Sequence, residues 1–277
     1  MANRMEALSF SAMQGLACMM NDICPIHGTH MLIMPGHDPF CPQCASDERD
    51  RRELGIIHQH MAKRAERATT GVLMHDSIFD DPDAADCTFD SYITDPGTEA
   101  AANLYKARHL AGRYLNLEYR ANTILTGNPG TGKTHLAMGM LHAVNDHIQP
   151  PVACLFISVN EMTRRVKDSF NNRQSWYTEE HVTRMVSKAN LLVLDDLGSE
   201  SSMRSMSNES SDWTQQFLFG LLNKRKGRTI ITTNLTSNGL TKIYNPKLLS
   251  RMYWGVEKNG GVIKFTDATE DKRKVLF

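Results

Sequence analysis

The octapeptide Gly127-Asn128-Pro129-Gly130-Thr131-Gly132-Lys133-Thr134 meets G-x-x-x-x-G-K-[ST] at every fixed position and follows a short apolar run, Thr123-Ile124-Leu125-Thr126. No other segment constrains the fold as strongly, because such a loop works only between the end of a β-strand and the start of an α-helix. The glycines let backbone N–H groups turn inward around phosphates, Lys133 reaches β and γ oxygens, and Thr134 offers a hydroxyl to Mg²⁺. His135 to Val144 reads as the helix, its positive N-terminal end facing those anionic oxygens. Asn128, Pro129, Gly130, Thr131, Gly132, Lys133, Thr134 and His135 are therefore the expected nucleotide-contacting residues.

A phosphate loop needs an acidic partner. Leu191-Leu192-Val193-Leu194-Asp195-Asp196 is a buried-strand run that ends in two carboxylates. Asp195 stands where an acid would hold Mg²⁺ and Asp196 where one would polarise the attacking water. Taken alone, such a run is often only a strand end meeting solvent. Thr229-Ile230-Ile231-Thr232-Thr233-Asn234 is another β-branched run, and its terminal Asn234 either orients that water or simply caps a turn. Pro246-Lys247-Leu248-Leu249-Ser250-Arg251-Met252 reads as a short helix. Its Arg251 is either a solvated surface group or, as in ring-forming ATPases, a group reaching the γ-phosphate of a neighbouring subunit.

Composition bounds the rest. A chain of 277 residues, 41% hydrophobic and 22% charged, holds one sizeable α/β core and a smaller module. The formal net charge is zero, so any DNA contact must come from a local patch rather than a global basic field. No run of eighteen or more apolar residues and no cleavable leader pattern is found, which gives the expectation of a cytoplasmic protein without membrane contact.

Six cysteines in a reducing compartment are not expected to pair. Cys24-Pro25-Ile26-His27 and Cys41-Pro42-Gln43-Cys44 form C-x2-H and C-x2-C pairs separated by a Gly/Pro-containing hairpin segment. That is the spacing of a zinc ribbon, and thiolate with imidazole favours Zn²⁺. His30 and His37 compete with His27 for the fourth ligand. Cys154, within the apolar stretch 152–159, reads as core.

These anchors divide the chain. Residues 1–68 are expected as a zinc-binding domain, a helix and ribbon followed by a charge-dense helix from Ser46 to Ala68 with Ser46 as its cap. Residues 69–86, rich in Asp and Gly with one Pro, read as a flexible connector. Residues 87–277 carry a helix from Thr98 to Leu115 and then strands near 123, 153, 191 and 229 alternating with helical patterns. Such alternation predicts an α/β fold with a parallel sheet covered by helices on both faces. Residues 199–211, dominated by Ser, Met, Asn and Glu, read as a loop.

The ordered set of motifs resembles the AAA+ helicase loaders of the DnaC/DnaI type from Cys87 onward. The resemblance rests on Thr88-Phe89-Asp90-Ser91-Tyr92, the phosphate loop with His135-Leu136-Ala137, Lys167-Asp168-Ser169-Phe170, Leu192 to Gly198, Thr232-Thr233-Asn234-Leu235 and Leu249-Ser250-Arg251-Met252. It implies an AAA+ P-loop ATPase domain behind an N-terminal zinc ribbon that docks on a helicase. It further implies ATP, Mg²⁺ and Zn²⁺ as cofactors, and a hexameric replicative helicase of the DnaB type and single-stranded DNA as partners. Self-association into a helical or ring assembly follows as well. The resemblance makes Lys133, Asp195, Asp196, Asn234 and Arg251 the catalytic set, with Arg251 acting in trans. It leaves Lys272, Arg273 and Lys274 competing for a basic sensor position, of which Lys272 and Arg273 are counted as ATP-binding. Lys167, Phe170 and Trp213 become the expected single-stranded DNA contacts, a lysine for phosphate beside rings for stacking, although Phe170 and Trp213 also suit a core. The alternatives are an IstB-like transposition ATPase, against which the ribbon argues, and an ATP-binding adaptor without significant turnover.

Overall fold

The computed structural model describes residues 17–172, 174–199, 212–225 and 227–271. The helix expected ahead of the ribbon, the serine-rich loop beyond Ser199, and Lys272, Arg273 and Lys274 lie outside them. The chain divides into two compact units between residues 65 and 66.

In the first unit β1 (Cys18–Ile23) pairs antiparallel with β2 (His30–Ile33), Cys18 opposite Ile33 and Ile23 opposite His30. Helix α1 (Pro42–Ala68) follows. It begins four residues before the expected Ser46 cap, because Pro42 presets a helical first position and Cys41 takes the capping role. The Cys41 carbonyl accepts from the Ala45 N–H at 3.0 Å and its Sγ from the Cys44 N–H at 3.4 Å. Cys24 and Cys41 are the buried residues among the described part of this unit, and α1 buries none.

The second unit is built on a five-stranded sheet, β3 (Thr123–Thr126), β4 (Cys154–Ser158), β5 (Leu191–Asp195), β6 (Thr229–Thr233) and β7 (Val262–Lys264), in the spatial order β4-β5-β6-β3-β7. All four pairings are parallel. Both faces are covered, so consecutive strand residues enter opposite cores. Ile124, Leu192, Leu194 and Ile231 meet α5 (Val159–Ser169), α6 (Glu179–Lys188), α7 (Asp212–Asn223), α8 (Ser237–Ile243) and α9 (Pro246–Met252). Leu125, Leu191, Val193 and Ile230 meet α3 (Glu99–Tyr114) and α4 (Lys133–His147). Helix α4 buries Leu136, Met138, Met140, Leu141 and Val144 completely, and each side chain contributes about 1.5–3 kcal/mol. That burial anchors the helix whose first turn carries the phosphate-loop lysine.

Residues 69–86 differ from the flexible connector their composition suggests. Helix α2 (Val72–Asp76) buries Leu73, and Ile78, fully buried, exchanges backbone hydrogen bonds with Phe156 and Ser158 at 2.9 and 2.8 Å. Phe79 stacks on Phe156 with ring centroids 4.8 Å apart. The segment thus covers the exposed edge of β4, a need that polar composition does not reveal.

At the N-terminal ends of the strands, Arg225 is half-buried, its guanidinium withdrawn into the fold, and meets carbonyls instead of a carboxylate. It donates to Val186, Ala189, Asn190 and Arg228 carbonyls at 2.7–3.2 Å and to Thr229 Oγ1 at 3.2 Å. Burial, with the Arg228 charge beside it, lowers its pKa to about 10. Arg225→Met should remove these guanidinium donors from the carbonyls and lower unfolding free energy by about 3 kcal/mol. Thermal denaturation should read this as a drop of roughly 6–12 °C, with ATP affinity at low temperature intact because the clamp sits at the opposite strand ends from the loop. An unchanged melting temperature would refute the clamp.

Candidate nucleotide site and metal centre

The turn from β3 into α4 is set by close approaches that exclude side chains. A Cβ on Gly127 would lie 2.2 Å from the Phe265 carbonyl oxygen, and one on Gly132 2.7 Å from the Tyr92 ring, and both have positive φ (143° and 92°). Lys133 is 7% exposed, and its Nζ donates to the Asn128 carbonyl at 2.6 Å. Asn128 and Thr131 brace the loop: Asn128 Nδ2 donates to Asp267 at 2.7 Å and Thr131 Oγ1 to the Asn128 carbonyl at 2.8 Å. The His135 ring is engaged by Ser91 Oγ at 3.0 Å and the Thr88 carbonyl at 2.9 Å.

Parallel register places the ends of neighbouring strands side by side, Ser158 opposite Asp195 and Thr126 opposite Thr233. Asp195, at the end of β5, accepts from Thr232 Oγ1 at 2.6 Å. Burial pushes its pKa up to about 6, against the Thr232 and Thr134 hydroxyls that bond to its carboxylate and the nearby Lys133 charge. Asp196 adopts φ 56°, its N–H donates to Thr232 Oγ1 at 2.8 Å, and its Oδ1 accepts from Asn234 Nδ2 at 2.8 Å. Thr232 therefore sets both acids, a role the sequence reading left unassigned.

These groups open onto one cavity of about 350 Å³, within the range of ligand pockets. Pro129, Gly130, Gly132, Lys133, Thr134, His135, Asp195, Asp196 and Asn234 line it. Tyr92 and Asp80, Asp81 and Asp83 line it too, the aspartates coming from the supposed connector. Arg251 does not line it. Its backbone carbonyl accepts from Asn122 Nδ2 at 2.9 Å, and its guanidinium has no hydrogen bond or ion pair among the described residues.

On the other face Lys167, Phe170 and Trp213 come together. The Lys167 ammonium lies 5.0 Å from the Trp213 ring centre and Phe170 meets Trp213 edge-on at 5.5 Å. Trp213 is itself partly buried and stacks on Phe217, so it serves the core as well.

In the first unit, Cys24, His27, Cys41 and Cys44 present ligand atoms all within 4.8 Å of one another. His27 Nδ1 is 3.8, 3.7 and 3.3 Å from the three sulfurs, and Cys24 Sγ is 3.6 Å from Cys44 Sγ. A tetrahedral ion with sulfur at about 2.3 Å and nitrogen at about 2.0 Å needs ligands roughly 3.5–3.8 Å apart, so the donor set fits zinc. His27 Nε2 meets Asp47 at 3.0 Å, the carboxylate support that a ligating histidine usually has. His30 bonds the Met20 carbonyl instead, so His27 is the histidine of the cluster.

A family model described as IstB-like ATP binding protein matches residues 54–251. The chain belongs to this family. Among curated relatives of this IstB-like chain, the replicative helicase loader DnaC of Escherichia coli (strain K12) is 26% identical over 209 residues, covering 74% of this chain and 78% of that protein. The loader of Buchnera aphidicola subsp. Acyrthosiphon pisum (strain APS) is 24% identical over 172 residues, 61% of this chain and 64% of its own. A crystal structure of DnaI superposes with a TM-score of 0.51 at 19% identity, covering 64% of this chain and 92% of that one. Family and relatives agree with the DnaC-type resemblance, and the fold is that of an AAA+ P-loop domain. The family description carries the IstB name, the curated relatives the loader name. Among the described residues no helix is long and apolar enough to cross a membrane.

Proposed function

We propose that this chain is an ATP-dependent loader that binds a hexameric replicative helicase of the DnaB type and delivers it onto single-stranded DNA in the cytoplasm. The observation that carries the reading is the convergence of Lys133, Thr134, Asp195 and the Asp196–Asn234 pair on one cavity in a chain whose curated relatives are loaders. Loop amides and Lys133 cradle the phosphates, and Thr134 and Asp195 would hold Mg²⁺, which would supply neutralisation of the phosphate charge. Asp196, held by Asn234, polarises the attacking water. Arg251, whose guanidinium has no hydrogen bond or ion pair among the described residues, reaches the γ-phosphate of an adjacent copy, so the lone subunit turns over slowly and assembly on DNA accelerates it. Lys167, Phe170 and Trp213 contact the DNA strand. Residues 1–68, with zinc held by Cys24, His27, Cys41 and Cys44, engage the helicase.

Two measurements test this. The purified chain should capture the host replicative helicase in an ATP-sensitive manner. Capture of a transposase and duplex DNA instead would favour a transposition ATPase, the reading the family description supports. Arg251→Ala should keep ATP affinity yet lower DNA-stimulated turnover on the order of a thousandfold, as loss of an arginine supplied in trans does. Mixing it with Asp196→Asn subunits should restore part of the turnover, and a mixture as inactive as its components would show the finger misassigned.

A further inference from the structure

A second exposed ring, Trp176, lies six residues beyond Phe170 in the chain. Phe170 is 58% exposed and Trp176, shortly beyond it in the chain, is 67% exposed. Each is braced by a further ring: Phe170 by Trp213 at 5.5 Å, Trp176 by His181 at 4.3 Å with the planes tilted 53°. Each has a cation–ring pair beside it. Lys167 lies over Trp213, and the Arg165 guanidinium lies 4.6 Å from the ring centre of Tyr177, the residue after Trp176.

The local chain explains why Trp176 faces solvent. Tyr177 packs against the core beneath α5, α6 and α7, and Thr178 begins α6 as its cap, accepting from the His181 N–H at 3.2 Å. Trp176 sits at a bend just before this anchored Tyr177 and stays outside that core. The first turn of α6, begun by the same cap, carries His181 against the indole, which is otherwise largely exposed.

We propose that Trp176, braced by His181, is a second base-stacking platform for single-stranded DNA, extending the contact made by Lys167, Phe170 and Trp213. The proposal rests on the DNA-binding reading above. Every base presents a π-face, so repeated ring-plus-cation units suit a strand read without sequence preference. The chain between Phe170 and Trp176 spans no more than about 20 Å. That fits a run of a few nucleotides, within the usual site size of about 4–16.

Binding of a fluorescein-labelled oligothymidylate about 15 nucleotides long, in the presence of a non-cleavable ATP analogue, tests it. Trp176→Ala should weaken binding roughly 5- to 100-fold, the range for loss of one stacked base, while Trp176→Phe should recover most of it. ATP affinity and melting temperature should stay as in the parent, since Trp176 lines no part of the nucleotide cavity. Unchanged oligonucleotide affinity in Trp176→Ala with weakened binding in Phe170→Ala would overturn this inference and leave the DNA reading standing. Unchanged affinity in both would remove the DNA reading itself. Loss of helicase capture with oligonucleotide binding intact would make Trp176 a protein contact and likewise overturn the proposal.

Discussion

Lys133→Ala is expected to lower ATP affinity by about two to four orders of magnitude and to abolish hydrolysis. Lys133 is 7% exposed, and its ammonium is met by the Asn128 carbonyl, with the Asp195 carboxyl nearby. A triphosphate brings several negative charges within reach of this buried cation. Each charge-assisted bond that Lys133 makes to the β and γ oxygens contributes about 1.5–3 kcal/mol, so two bonds give roughly 3–6 kcal/mol. At about 1.4 kcal/mol per tenfold, that is the stated range. Titration calorimetry with ATP measures it. The nucleotide-free protein should lose little stability, because the substitution also removes a buried charge. Wild-type affinity in a well-folded Lys133→Ala protein would mean that the loop does not hold phosphate.

Much of this site was legible because its chemistry is local in sequence. Strand β3 occupies Thr123–Thr126 and helix α9 occupies Pro246–Met252, as the apolar runs and Pro246 predict. Helix α4 runs from Lys133 to His147, longer at both ends than 135–144. The phosphate loop, the β5 acids and Asn234 each announce themselves within a few residues.

What escaped the sequence is what the sheet brings together. Thr232 sets Asp195 and Asp196 only because β6 lies next to β5, an adjacency that no spacing encodes. Asp80, Asp81 and Asp83 reach the cavity because Ile78 pins residues 77–79 to β4, and an Asp-rich composition hides one buried isoleucine. The choice among His27, His30 and His37 was open for the same reason. Distances to three sulfurs decide it, and C-x2-H spacing alone does not.

The largest stability effect should come from the Cys/His cluster. Among its described residues unit 1 has almost no apolar interior: Met19, Ile23 and Ile26 on the hairpin are 59–76% exposed, and Leu54, Ile56, Ile57 and Met61 on α1 are 51–64% exposed. Nothing but Cys24 and Cys41 is buried among its described residues, so burial of apolar surface cannot hold β1 and β2 against the first turn of α1. A bound ion can, since structural zinc supplies an apparent 10–16 kcal/mol or so of folding free energy in small modules. The support around the ligands is already in place. Thr29 Oγ1 lies 3.2 Å from Cys41 Sγ, the Cys44 N–H donates to the same sulfur, and Asp47 holds the His27 ring. The protein is therefore expected to carry about one zinc per chain, and Cys41→Ser should lose it. Hydrogen exchange should then show β1 and β2 unprotected, while the second unit keeps its ATP affinity and its own unfolding transition. A metal-free chain whose hairpin amides stayed protected would exclude a zinc-dependent fold for this unit.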